Sequence, residues 1–128
     1  MAATPTILCI DDEELGLQIR KTVLERAGYR VLTAMDGLSG LSIFHHETID
    51  AVVLDYSMPG MDGSEVAAAM RKVNPSVPIM LLSAYVTVPD QLTPVIDTFL
   101  TKGEGPHALL KKVADLLKCH RGRTEAFG

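Results

Sequence analysis

One stretch constrains the fold of this 128-residue chain more than any other: Ala51-Val52-Val53-Leu54-Asp55, followed by Tyr56-Ser57-Met58-Pro59-Gly60-Met61-Asp62-Gly63. A continuous apolar run with two β-branched residues, bounded by turn residues, reads as a strand covered on both faces. Such a strand belongs in the interior of a sheet that carries helices on either side. Asp55 then falls at the strand's carboxyl end, the edge at which open α/β sheets place their ligands.

The rest of the chain repeats this grammar. Thr6–Ile10 is a second short apolar run and ends in Asp11-Asp12-Glu13-Glu14. Leu15, Ile19, Val23, Leu24 and Ala27 follow at helical spacing, closed by Gly28. Tyr29–Ala34 predicts a strand. Asp36 caps a helix in which Leu38, Leu41 and Phe44 share a face. Asp62, with Glu65 three residues on, heads a helix lined by Val66, Met70 and Val73 that stops at Asn74-Pro75. Ile79-Met80-Leu81-Leu82 predicts a strand ending in Ser83-Ala84, and Thr98–Thr101 a fifth ending in Lys102-Gly103. Pro106 suits a first helical residue, with Leu109, Leu110, Val113, Leu116 and Leu117 as the apolar face behind it. Strand and helix patterns alternate five times, which implies a doubly wound parallel sheet with helices on both faces. The fourth helix, between Ser83 and Thr98, is expected to be short, kinked or irregular. Pro89 and Pro94 both fall there, and an interior proline costs about 3 kcal/mol. One domain is expected over residues 1–119, with a flexible tail at 120–128.

Composition narrows the function. The chain is 47% apolar, enough for one substantial core, and a net charge of −4 argues against nucleic acid as a partner. No basic leader or long apolar segment is present, so neither signal peptide nor membrane span is expected. Cys9 lies within an apolar strand and reads as a small buried hydrophobe. With no Cys/His metal spacing, a reduced cytoplasmic setting fits. His45 and His46, about 100° apart on a helix, share no ligand, and they are expected at the surface with His107 and His120.

Chemistry gathers at the strand ends. If all five strands run parallel, Asp11-Asp12, Asp55, Ser83 and Lys102 converge on one rim of the sheet. Three carboxylates packed together repel one another, and a hard divalent cation such as Mg²⁺, bound through oxygen, removes that penalty. Lys102 adds a positive charge and Ser83 a hydroxyl. Phosphoryl transfer needs mainly positioning and charge stabilisation, and a carboxylate nucleophile yields an aspartyl phosphate. Asp55 is the predicted phosphoacceptor. Adjacent residues of a regular strand point to opposite faces, so Asp11 and Asp12 act together only where the strand has already bent into its loop.

These motifs, Ile10-Asp11-Asp12-Glu13, Leu54 to Gly63, Leu82-Ser83-Ala84 and Phe99-Leu100-Thr101-Lys102, resemble in this order the receiver domain of two-component response regulators over residues 5–118. The resemblance implies a flavodoxin-like (βα)5 fold with strand order 2-1-3-4-5. It implies Mg²⁺, with Mn²⁺ as a substitute, held by Asp12 directly, by Asp11 mostly through water, and by Asp55 and the Ser57 backbone carbonyl. Ser83 would be the switch hydroxyl and Phe99 the switch aromatic that repacks with it, while Lys102 would contact the phosphate and, before phosphorylation, Asp55. A histidine kinase or histidine phosphotransfer protein would donate the phosphoryl group. The output face of fourth helix, fifth strand and fifth helix would then change for a downstream protein, in a chain that is a monomer or weak dimer.

The family usually has proline after the lysine. Gly103 stands there instead, which predicts a trans bond, since a cis bond without proline costs about 2.5–4 kcal/mol, and a looser loop at Gly103-Glu104-Gly105. The departures at Gly103 and in the fourth helix motivate an alternative, a phosphorylation-independent interaction module on the same fold. An aspartate-nucleophile phosphatase is disfavoured because Ser57 stands where those enzymes carry a second aspartate. A signalling domain without a turnover substrate is the expectation.

Overall fold

In a computed structural model the described residues are 4–84 and 94–127, with backbone alone described for 119–127. The strands are β1 (Thr6–Ile10), β2 (Arg30–Ala34), β3 (Ala51–Asp55), β4 (Ile79–Ser83) and β5 (Thr98–Thr101). The helices among these residues are α1 (Glu14–Arg26), α2 (Gly37–His46), α3 (Gly63–Val73) and α4 (Pro106–Phe127). The strands pair in parallel in the order β2-β1-β3-β4-β5. The doubly wound sheet expected from the alternating pattern is therefore what forms.

The continuous apolar runs are explained by two cores, one on each face. Leu8, Ile10, Val52, Leu54, Ile79 and Leu81 point to the side covered by α2 and α3, where Phe44, Val66, Ala67 and Met70 meet them. Their neighbours Ile7, Cys9, Val53, Met80 and Leu82 point to the side of α1 and α4, against Leu17, Leu24, Leu109 and Val113. Every residue of β1, β3 and β4 is buried. At about 1.5–3 kcal/mol per fully buried aliphatic side chain, these three strands anchor the domain.

Local signals act as their chemistry requires. The Asp36 carboxylate accepts from Ser39 N at 2.7 Å and that of Asp62 from Glu65 N at 3.0 Å, capping α2 and α3. Both carboxyls are held below the usual range, chiefly by those bonds and by the neighbouring serine hydroxyls. Gly28, at φ 101°, closes α1. Gly63 begins α3 against β3: a Cβ there would lie 2.6 Å from the Asp55 carbonyl oxygen and 2.8 Å from Tyr56 Cα.

Several expectations need correction. Leu15 and Ile19 do not form the buried face of α1, being 75% and 53% exposed; Leu17 and Leu24 do. An α-helix buries a stripe spaced i, i+3, i+7, and Leu17 and Leu24 stand on it together, whereas Leu15 is turned some 200° from Leu17. Leu38 and Val73 also face solvent, leaving Phe44 as the anchor of α2 and Val66 with Met70 as the anchors of α3. The backbone of α4 continues past His120 to Phe127, where a loose tail was expected; Arg, Glu and Ala are good helix formers and extend the last turns. The Lys102–Gly103 bond is trans. The loop after it is tied, however, since the Glu104 carboxylate accepts from Thr101 N at 3.0 Å and from Thr101 Oγ1 at 2.9 Å. The fourth helix predicted between Ser83 and Thr98 lies mainly on residues 85–93, outside the described residues.

Candidate functional site

Parallel register carries the strand ends to one rim. Ile10 pairs with Leu54, Asp55 with Leu82, and Ser83 with Thr101. Asp11, Asp12, Asp55, Ser83 and Lys102 all follow or end these strands. Because β1 ends at Ile10, both aspartates lie in the bend beyond it, as their joint use requires. Asp11 N still donates to Ala34 O at 3.1 Å, and the Asp11 carboxylate accepts from Glu13 N at 2.9 Å, which fixes the turn into α1.

One carboxylate oxygen from each of Asp11, Asp12 and Asp55 lies within 4.8 Å of the other two. Asp11 and Asp55 are each 1% exposed, and Asp12 is half-buried. Lys102 reaches across from the end of β5: its Nζ is 3.1 Å from Asp55 Oδ1, 3.2 Å from Glu13 Oε1 and 3.9 Å from Asp11 Oδ2. Ser57 N approaches Asp55 Oδ1 at 3.4 Å. Asp55 Oδ2 is buried with no hydrogen-bond partner. Burial pushes the Asp55 carboxyl up to about 6 against the pull of Lys102, and the charge of Asp11 adds to the rise. Burial is the largest influence on Lys102 and would depress it, but the bond to Asp55, the charges of Asp55 and Asp11 and the bond to Glu13 together outweigh it and the net shift is upward.

An oxygen-only cluster of this size, with one buried oxygen left unpartnered, fits a hard divalent cation and the waters it retains. Ser83 is buried at the end of β4, where its carbonyl accepts from Lys102 N at 2.8 Å. Phe99 is half-buried against the α2/α3 core, and Lys112 Nζ donates to its carbonyl at 2.6 Å and stands 5.5 Å from its ring centroid. Met58 packs into the same core, Cys9 is buried with its thiol raised to about 12 by that burial, and His45, His46 and His107 are exposed.

Two contacts were not foreseen from the sequence. Glu13 meets Lys102, and Arg20 Nη2 forms an ion pair with Asp11 Oδ2. The Arg20 pair had a signal: Arg20 sits between Leu17 and Leu24 at i+3 on the buried stripe of α1, where a charge needs a partner.

The model of the response regulator receiver domain family matches residues 7–114. The chain belongs to this family. Among relatives of this receiver domain, the transcriptional regulatory protein GlrR of Escherichia coli is 33% identical over 115 residues, 88% of this chain and 26% of that protein. Chemotaxis protein CheY4 of Vibrio cholerae superimposes with a TM-score of 0.84 at 30% identity, covering 90% of this chain and 100% of that one. Response regulator TrrA of Thermotoga maritima, solved in complex with Mg(2+)-BeF, gives 0.84 at 35% identity, covering 89% and 100%. The receiver domain spans about a quarter to a half of the length of the curated relatives it matches. It is a signalling domain of two-component systems with a CheY-like fold and an acidic cluster suited to a metal. No helix among the described residues is long and apolar enough to cross a membrane.

Proposed function

We propose that this receiver is a phosphorylation switch in which Asp55 accepts a phosphoryl group from a histidine kinase or histidine phosphotransfer protein. The observation that carries this reading is Asp55 itself: it is buried, bonded to Lys102 through Oδ1, and left with Oδ2 unpartnered beside two further carboxylates. A carboxylate oxygen of Asp55 attacks phosphorus, the new O–P bond forms, and the donor's P–N bond breaks with its electron pair returning to the imidazole. Asp12, Asp11, Asp55 and the Ser57 carbonyl are the assigned holders of Mg²⁺, or Mn²⁺ in its place. When bound, the cation neutralises charge on the phosphoryl oxygens. Lys102 supplies a second positive charge at the same rim, already pointed at Asp55.

Ser83 is the switch hydroxyl and Phe99 the switch aromatic in this reading. The added charge biases a two-state equilibrium that ends on the surface around β5 and α4, where a downstream protein reads it. The receiver takes part in no turnover of a separate substrate, works in the cytoplasm as a monomer or weak dimer, and occupies residues 1–119. With Mg²⁺ and a small phosphodonor, intact mass rises by one phosphoryl group in the parent and not in Asp55→Asn. An unchanged parent mass, under conditions that label a control receiver, overturns the reading.

A further inference from the structure

The Arg20–Asp11 pair has no part in the chemistry above, yet it uses one of the metal-binding carboxylates. Asp11 is 1% exposed and has a donor on each oxygen, Glu13 N–H on Oδ1 and the Arg20 guanidinium on Oδ2. Arg20 approaches from a core position of α1, its side chain 16% exposed and its Nε buried without a partner. The room for it is made by Gly16: a Cβ there would stand 3.2 Å and 3.3 Å from the two Nη atoms. Of the cluster's two cations, Lys102 lies nearest Asp55, with Asp11 Oδ2 farther off at 3.9 Å, and Arg20 is bound to Asp11.

We infer that Arg20 is a resident counter-cation of the metal site: it holds Asp11 in place while no divalent ion is bound, and Mg²⁺ binds by displacing it. This inference rests on the reading of Asp11, Asp12 and Asp55 as metal ligands. Its second support is the buried Asp55 Oδ2, which has no hydrogen-bond partner although its carboxylate belongs to the same three-carboxylate cluster. A guanidinium and a divalent ion a few ångströms apart in a poorly solvated site repel strongly, so one weakens the other. The displaced side chain has somewhere to go. Arg20 also lines a groove of about 260 Å³ between α1 and the β5–α4 connection, with Val23, Leu100 and Leu109 along it and Glu104 as an acid within it. Arg20 is a positioning residue in this account, and it sets the Mg²⁺ concentration at which the site fills.

The test is calorimetric titration of the full chain with Mg²⁺ alone. Arg20→Met binds Mg²⁺ about tenfold more tightly than the parent, while Arg20→Lys, which keeps the charge, stays nearer the parent. A second measurement needs no variant. In the parent, the Arg20 Nη resonances are distinct while the guanidinium is held on Asp11 and collapse to an averaged signal as Mg²⁺ is added. Parent binding with no tightening in Arg20→Met, equal effects of Met and Lys, or Nη signals unmoved by saturating Mg²⁺ each overturn the inference while leaving the metal site standing. Absence of millimolar Mg²⁺ binding in the parent and both variants overturns the metal site itself.

Discussion

Lys102 Nζ lies 3.1 Å from Asp55 Oδ1, joining the carboxyl ends of two strands separated by β4, while Asp55 Oδ2 has no partner. A buried carboxylate with one oxygen satisfied and the other unpaired is an unstable arrangement held in place by the rest of the fold. Its cost shows in a carboxyl raised to about 6 in spite of an adjacent ammonium. The domain thus carries a strained charge at the point where it is read as accepting a phosphoryl group.

Removing that charge should stabilise the metal-free protein. Asp55→Asn is expected to raise unfolding free energy near neutral pH by about 1–3 kcal/mol, because the unfolded chain loses nothing and the folded chain sheds a desolvated anion. Urea unfolding without divalent ions measures it. A less stable variant would mean that the Lys102 bond outweighs the burial.

The pH dependence has a definite sign. Asp55 is raised from 3.8 to about 6, so between those values the folded protein holds a proton that the unfolded chain has released. The contribution of this group to stability is therefore present below the lower value and is lost as pH rises through about 6. Mg²⁺ and the proton compete for the same oxygens. The rise in Tm produced by Mg²⁺ should be small near about pH 5 and several-fold larger above about pH 7. Thermal melts with and without Mg²⁺ across that range give the answer, and a Mg²⁺ effect that is flat with pH would contradict it.

Gly63 should not tolerate a side chain. A Cβ would press on the Asp55 carbonyl and Tyr56 Cα, both backbone atoms that cannot swing away. Gly63→Ala is expected to lose about 1–3 kcal/mol and to weaken Mg²⁺ binding as well, since the same shift moves the end of β3. Chemical denaturation and Mg²⁺ titration of one sample read both effects.

Arg71 ties the far end of the sheet. Its Nε donates to Val95 O at 3.1 Å and its Nη1 to Pro75 O at 3.1 Å and to Val77 O. Nη2 meets Asp97 Oδ2 at 2.7 Å, and the same oxygen accepts from Ile79 N. Arg71→Met should cost about 2–4 kcal/mol by removing the donor to the Val95, Pro75 and Val77 carbonyls and the ion pair with Asp97, while Mg²⁺ affinity stays at the parent value because the clamp lies at the opposite edge from the acidic rim. Denaturation and calorimetry on the same variant separate the two effects.

Much of this molecule was legible in its sequence because the signals are local or periodic. Val52, Val53 and Leu54 announce a strand buried on both faces, Asp36 and Asp62 cap the helices they precede, and alternation of the two periods dictates a parallel sheet. Once the sheet is parallel, the residues ending the strands must share a rim, which is why Asp11, Asp12, Asp55, Ser83 and Lys102 are legible as one group in the sequence. The choice between Leu15 or Ile19 and Leu17 as the buried face of α1 was not legible. Each fits an i, i+4 or i, i+7 pattern, and only the rotation of the helix on the sheet decides among them.

What the tertiary structure alone decided is the partnering of charges. Periodicity says that Arg20 lies on the stripe of Leu17 and Leu24, but not that its guanidinium turns past Gly16 to Asp11. Spacing places Lys102 at the rim and the family resemblance points it at Asp55, but neither says that one Asp55 oxygen is met and the other left bare. Nor does Gly103 reveal that Glu104 will tie the loop through Thr101. Local sequence governs backbone conformation through sterics and hydrogen bonds a few residues long. Which ion meets which is settled by distances of a few ångströms between segments far apart in the chain, and these exist only once the two cores have closed on the sheet.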